Sequence, residues 1–198
     1  VTAVWVLGGL AVASLGLMGG CTAESPEPVT PSVTVPEVTA TPSPTPTPTT
    51  PPEAVKPVEP EAMGLPGADG AAAAAQYFLS LYPYVYATGD LAPWQAMSHP
   101  ECVFCASVVT NVQTKVNAGQ HTKGGLFELK PVSAALISAD LAGVTLEVTE
   151  SPNSVMGADG EVVHEDEGGH YLMTLSVVPG DPWTVREVEY REISPADS

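Results

Sequence analysis

The residues best suited to chemistry are two cysteines in "SHPECVFCASVV", residues 98 to 109, in a chain that has only three cysteines. Cys102 and Cys105 have the spacing C-x-x-C, which serves three different purposes. In an oxidising compartment such a pair forms a structural disulfide. At a helix N-terminus, where a thiol's pKa is lowered, the same spacing supports thiol–disulfide exchange. With His99 alongside, and His121 or His164 as a fourth ligand, it could hold zinc. A second constellation, "HEDEGGH", places His164, Glu165, Asp166, Glu167 and His170 together, and these would bind a divalent cation if the loop folded back. Its plainer reading is a solvated hairpin tip between strands. The chain contains no GxSxG, HExxH, P-loop or dinucleotide fingerprint.

Which cysteine chemistry applies depends on the compartment. Residues 1–20, "VTAVWVLGGLAVASLGLMGG", are almost wholly apolar and carry no charge. An apolar run ending in small residues reads as an export signal, outside the fold. The alternative is an uncleaved membrane helix, since about 20 apolar residues span a bilayer. The stretch "LGLMGGC" also resembles the lipobox of bacterial lipoproteins, with Met18 where Leu is usual and Gly19 and Gly20 before Cys21. That resemblance implies cleavage before Cys21 and a diacylglyceride on its sulfur. The chain would then be anchored in the lipid bilayer, at the extracytoplasmic face of the cell membrane.

Residues 21–66 follow as a lipidated cysteine and a Pro/Thr-rich stretch with no aromatic residue. Such a composition cannot bury enough apolar surface to offset its ordering entropy, so a disordered stalk is expected. Proline-rich chain is semi-rigid, and forty-odd residues of it would hold a domain about 100 Å from the bilayer. Its Ser/Thr-Pro repeats have the composition of O-glycosylated segments. Residues 67–198 suffice for one ordinary domain. The net charge of −17, from 23 acidic against 6 basic residues, argues against a nucleic-acid partner and against electrostatic docking on anionic lipid.

Within that domain, "GADGAAAAAQYFLSLYPYVYATGD" predicts a helix with Asp69 as N-cap and Ala74, Phe78, Leu81 and Val85 on one face. Pro83 is expected to kink or end it, and Gly89 to supply the stop. "DLAPWQAM" predicts a short second helix with Asp90 as its N-cap. Ser98 and Glu101 have the form of a capping box. A third helix is expected to run from there to about Asn117, burying Cys102, Cys105, Val109, Val112 and Val116. The period then falls to two. "LFELKPV", "GVTLEVT", "YLMTLSV" and "WTVREVEYREI" predict strands, with Val144, Leu146 and Val148 inward on one and Tyr171, Met173, Leu175 and Val177 inward on another. In the last strand the inward set passes from Trp183 and Val185 to Val188 and Tyr190, which calls for a bulge near Arg186 and Glu187. "MGADGE" carries an Asp-Gly hairpin signal.

Helices followed by antiparallel strands predict an α+β fold, with the helices packed on one face of a curved sheet. That order resembles the nuclear-transport-factor-2-like cone, a bent sheet around a long N-terminal helix. "AAAAQYFLSLYPYVYATGD", "PWQAMSHPECVFC" and "PWTVREVEYRE", with the lipobox and stalk, resemble a family of actinobacterial lipoproteins carrying a domain of unknown function (domain of unknown function 6318). The resemblance implies surface location and the cone fold, and implies no activity.

With Cys21 lipidated, Cys102 and Cys105 are left as an even pair outside the membrane, where a disulfide is the default. A redox motif would need a strand leading into it, whereas here a short helix precedes. The inward strand positions assigned above are Val, Leu, Met, Tyr and Trp, so no proton carrier is expected inside the cone and no catalytic residue is named. Asp90 reads as a cap, and Tyr82, Tyr86 and Trp94 as core or pocket wall. The expected function is non-catalytic binding of a small apolar or cell-wall ligand, or of another envelope protein, with no cofactor and no metal. The alternatives are a cone-fold enzyme with a cavity active site and a thiol or metal site at Cys102 and Cys105.

Overall fold

The computed structural model describes residues 54–194. The expected export signal, Cys21 and the stalk as far as residue 53 lie outside the described residues. A 3-10 turn, Glu61–Gly64, precedes helix α1 (Gly67–Thr88), short helix α2 (Ala92–Ala96) and helix α3 (Val103–Asn117). Seven strands follow: β1 (His121–Gly124), β2 (Phe127–Ser138), β3 (Leu141–Glu150), β4 (Asn153–Met156), β5 (Val162–Asp166), β6 (Gly169–Val178) and β7 (Thr184–Glu192). They form two antiparallel sheets, ordered β2-β3-β6-β7 and β1-β4-β5. Helix α1 touches β2, β3 and β6 of the first sheet and β1 of the second, so one helix spans both.

Alternation of apolar residues sets the buried face of the larger sheet. Val144, Leu146 and Val148 of β3 lie opposite Leu175, Met173 and Tyr171 of β6, and all but Tyr171 are buried. Against them α1 lays Ala74, Phe78, Leu81 and Val85, each fully buried as the helical spacing requires. In β7 the extra residue is Arg186, because Glu187 pairs with Ser176 while Val185 pairs with Val177. This is the predicted bulge, and it keeps both Val185 and Val188 inward. Tyr190 faces Met173 in register but is 60% exposed, its ring making T-shaped contacts with Phe104 at the start of α3 and with Tyr171.

The helices depart from expectation at their ends. Helix α1 starts at Gly67 behind Pro66, with Asp69 in its first turn instead of at the cap. It also continues past Pro83 to Thr88, so the proline does not end it. An internal proline costs about 3 kcal/mol, whereas burying a Leu or Val side chain gains roughly 1.5–3 kcal/mol. Leu79, Leu81 and Val85 on both sides of Pro83 are fully buried, so packing outweighs the lost hydrogen bond. The stop comes at Gly89, whose φ of 76° is the left-handed conformation that favours glycine and whose N–H donates to the Val85 carbonyl. Asp90 caps the next turn from one residue further out, its Oδ1 accepting the Ala92 N–H while Leu91 takes the N-cap position.

No capping box forms at Ser98 and Glu101. Pro100 pushes His99 toward extended backbone, and His99 N–H donates instead to the Val185 carbonyl of β7. Helix α3 therefore begins at Val103 with Cys102 at its cap, and Ser98 Oγ bonds back to the Trp94 carbonyl. Its buried stripe is Cys105, Val108 and Val112. Val109 is half-buried and Val116 is exposed, because α3 lies chiefly against β7 and only a narrow face is covered.

Two further differences concern the strands. Val162–Asp166 is a strand, not part of a loop, and it is exposed along its whole length. Its turn from β4 is the predicted Asp-Gly hairpin, closed by Gly157 N–H to the Glu161 carbonyl and Gly160 N–H to the Gly157 carbonyl. Strands β1 and β4 were not anticipated: four residues each are too few to show a period.

Because Phe78 is wholly enclosed, Phe78→Ala should lower stability by about 3–5 kcal/mol in urea denaturation. Val103→Ala, at an 83% exposed position, should change it by no more than about 0.5 kcal/mol.

Candidate functional site

The cysteine motif occupies the corner between α2 and α3. Val185 N–H donates to the Met97 carbonyl and His99 N–H to the Val185 carbonyl, so the chain crosses β7 before turning at Pro100. Cys102 N–H then closes on the His99 carbonyl, and Cys102 Sγ accepts the Cys105 N–H at 3.1 Å. The two sulfurs stand at disulfide-bonding distance, with Cα atoms 5.2 Å apart. Cys102 is 2% and Cys105 1% exposed, closed in by Trp94, whose indole N–H donates to the Cys105 carbonyl at 3.2 Å. Thiol–disulfide exchange needs a reachable sulfur, and neither sulfur here is reachable.

The histidines do not converge on this motif. His99 Nδ1 accepts the Glu101 N–H, and the Glu101 carboxylate pairs with Arg186 at 3.1 Å. His121 lies on β1, His164 on the exposed strand β5, and His170 on β6 in contact with Glu147 at 3.0 Å. Among the described residues no three His, Cys, Asp or Glu side chains are placed to share a metal ion. "HEDEGGH" is thus divided between two sheets, with Glu165 and Asp166 paired along β4.

Polar groups do converge beside Tyr82 and Tyr86, which were expected as core or pocket wall. A pocket of about 80 Å³ lies where Tyr82, Pro83 and Tyr86 of α1 meet Thr122 and Gly124 of β1, Gly125, Glu150 at the end of β3 and Asn153 at the start of β4. The Tyr82 ring stacks on Phe127 with centroids 4.9 Å apart and lies 4.7 Å from the Tyr86 ring. Asn153 Nδ2 donates to Glu150 Oε1 at 3.3 Å. Thr122 Oγ1 is buried and has no hydrogen-bond partner among the described residues. Gly124, at φ 82°, lets β1 pass so close to Pro152 that a Cβ would overlap the Pro152 carbonyl.

Desolvation dominates the electrostatics of this pocket. Burial pushes the Glu150 carboxyl above the ordinary glutamate range, the nearby Asp166 charge adds to that, and the Asn153 hydrogen bond offsets part of it. Burial, then Tyr86 and Glu150, push the Tyr82 hydroxyl far above the usual tyrosine value. Glu150 corrects the expectation that no proton carrier stands at an inward strand position. It continues the parity of Val144, Leu146 and Val148, and that parity was the signal that could have found it. Thr122, Asn153 and the glycines gave none, because β1 and β4 are too short to read.

A wider groove of about 790 Å³ lies at the other end of β3. The 3-10 turn with its flanking prolines, Leu136 and Ala139 before β3, and Pro179–Trp183 before β7 line it. Trp183 closes its floor by donating from the indole N–H to the Met63 carbonyl at 2.8 Å.

A raised carboxyl pKa has a definite sign in stability. Between the unfolded and the folded pKa the native state binds the extra proton, so stability falls as pH rises through that window. Glu150→Gln should therefore match the parent in urea midpoint at acidic pH and exceed it at neutral pH. Carbon-detected titration of the Glu150 carboxyl should give a midpoint above that of an exposed glutamate.

The chain is similar to a ketosteroid isomerase-like protein from Erwinia carotovora atroseptica, at 14% identity and a TM-score of 0.43, over 63% of this chain and 95% of that one. It is similar to a protein of the NTF2-like family from Streptomyces avermitilis at 11% identity and a TM-score of 0.40, over 64% of this chain and 99% of that one. A cystatin-like-fold protein from Caulobacter vibrioides gives 15% identity and a TM-score of 0.43, over 64% and 92%. No curated protein sequence matches. A family profile covers residues 45–178, the 3-10 turn, all three helices and strands β1 to β6, and the chain belongs to that family, the family of unknown function DUF6318.

Proposed function

We propose that this chain is an extracytoplasmic lipoprotein, anchored in the cell membrane through Cys21, whose nuclear-transport-factor-2-like cone is a non-catalytic binding module. The observation that carries the binding reading is the filled interior. Phe78, Trp94, Leu146 and Leu175 are each 0% exposed. They occupy the space between α1 and the sheet in which a cone fold would hold a substrate. An apolar ligand has no room there, so ligands meet this domain at the rim pocket or in the groove, and an envelope partner meets its surface.

A second reading, a cone-fold enzyme, draws on Glu150 sharing the rim pocket with Tyr82. General acid–base catalysis needs both groups against one reacting atom. Substrate sites run to roughly 300–1,000 Å³, and a pocket of about 80 Å³ admits one small polar group. Size favours binding over turnover.

The cysteine corner fits the same reading as a structural staple. Closing so short a loop stabilises by roughly 2 kcal/mol at most in the chain-entropy account, so its main effect is to fix the turn between α2 and α3. The native full chain should resist alkylation both with and without mild reductant, and should take up two alkyl groups only when reduced in denaturant, as read by intact mass. Ready labelling under native reducing conditions would make "HPECVFC" the functional site.

The anchor has its own test. Cys21→Ser should abolish incorporation of labelled palmitate and leave residues 1–20 on the chain, as read by intact mass, so that the apolar run now holds it in the membrane fraction. A parent chain that takes up no palmitate and already carries residues 1–20 would replace the lipid anchor with the uncleaved apolar helix.

A further inference from the structure

We infer that the rim pocket is a receptor for a primary ammonium group, held between the Glu150 carboxylate, the Thr122 hydroxyl and the ring of Tyr82. The inference rests on the binding-module reading and adds the chemical class of the ligand.

Glu150 is a partly buried carboxylate that pairs with no cation among the described residues. The ion pairs among the described residues join Lys130 and His170 to Glu147, and Arg186 and His99 to Glu101, and none reaches Glu150. Its hydrogen bond comes from the neutral Asn153 amide. A carboxylate removed from water without a cation is destabilised, and a charged ligand that pairs with it relieves that state. The field of Asp166, already felt by Glu150, deepens the negative potential and repels an anionic ligand.

The second observation is independent of charge. Thr122 lines the pocket, is 9% exposed as a residue, and its Oγ1 is buried without a partner among the described residues. A buried hydroxyl left unpaired destabilises the fold, and an ammonium proton directed at its oxygen would satisfy it. The third is the wall. Tyr82 and Tyr86 line the pocket with the carboxylate, their rings 4.7 Å apart and tilted by 43°, and aromatic faces attract cations, more so when desolvated.

Size and global charge narrow the class. About 80 Å³ accepts an ammonium with one or two methylenes and rejects a ring. A neutral hydroxyl would fit but would leave the charge on Glu150 uncompensated. At net −17 the protein concentrates cations near its surface and disfavours anions.

The test is a titration of the isotopically labelled full chain, in detergent, with propylammonium chloride. Potassium chloride and 1-propanol serve as controls, read by NMR shifts at Thr122, Gly125, Glu150 and Asn153. The inference predicts saturable shifts with propylammonium, at least tenfold weaker binding in Glu150→Gln, and severalfold weaker binding in Thr122→Val. Both variants should retain dispersed spectra. A parallel arm with Nα-acetyl-lysine amide carries the same head on a peptide unit. Tighter binding there would support a polypeptide source, and equal binding a free amine. Equal shifts from 1-propanol would overturn the ammonium inference and leave the binding reading intact. Absence of shifts at the pocket with every probe, or undiminished binding in Glu150→Gln, would overturn it as well. Chemical conversion of the bound amine would overturn the binding reading instead.

Discussion

Trp94 is the side chain on which the arrangement of the helices depends. Its indole is fully buried, stacks on Phe78 of α1 with centroids 4.0 Å apart, and meets Tyr82 edge-on. From the five-residue helix α2 it donates its N–H to the Cys105 carbonyl in the first turn of α3. A helix that short has little stability of its own in water. It persists because its one large side chain is an apolar anchor with a polar tip that finds a partner. Three helices are thereby tied at one point, and the cysteine corner is closed by the same residue.

On the proposed binding function, that anchoring decides where a ligand can go. An aromatic cluster of Phe78, Trp94, Tyr82 and Phe104 fills the region between the helices and the larger sheet. The inward residues of β3 and β6 meet it with Val, Leu and Met. With the middle occupied, polar chemistry is displaced to the end of β3, where the inward row of β3 passes from Val148 to Glu150. Tyr82 links the two regions. One part of its ring environment is the core, through Trp94, and another is Phe127 and the pocket wall. A change that loosened Trp94 would therefore reach the rim through Tyr82.

The elements whose signals are local were legible in the sequence. Alternation in β3 and β6, the left-handed stop at Gly89, the Asp-Gly turn at Gly160 and the parity switch at Arg186 each depend on a few neighbouring residues, and each is found in the structure. What escaped depends on distant contacts. Pro83 is tolerated because of packing on both sides of it. The start of α3 moves from Ser98 to Val103 because His99 is drawn onto β7, more than eighty residues later in the chain. The smaller sheet is built from segments too short or too exposed to carry a period, and it supplies Thr122 and Asn153 to the pocket. Tyr82 and Tyr86, read as core or pocket wall, do line it, and Glu150 stood within reach as the next residue in the inward row of β3. The buried positions of Cys102 and Cys105 were anticipated from their spacing, while their neighbours Val109 and Val116 were placed too deep.

The central claim is that the space between helix and sheet is solid, so that this domain acts at its rim. Xenon tests it directly, because the gas enters dry apolar cavities and little else. Titrating xenon into the methyl-labelled full chain should produce small, non-saturating shifts at Leu81, Leu146 and Leu175. A saturable xenon site marked by those methyls would reveal an internal cavity and contradict the account.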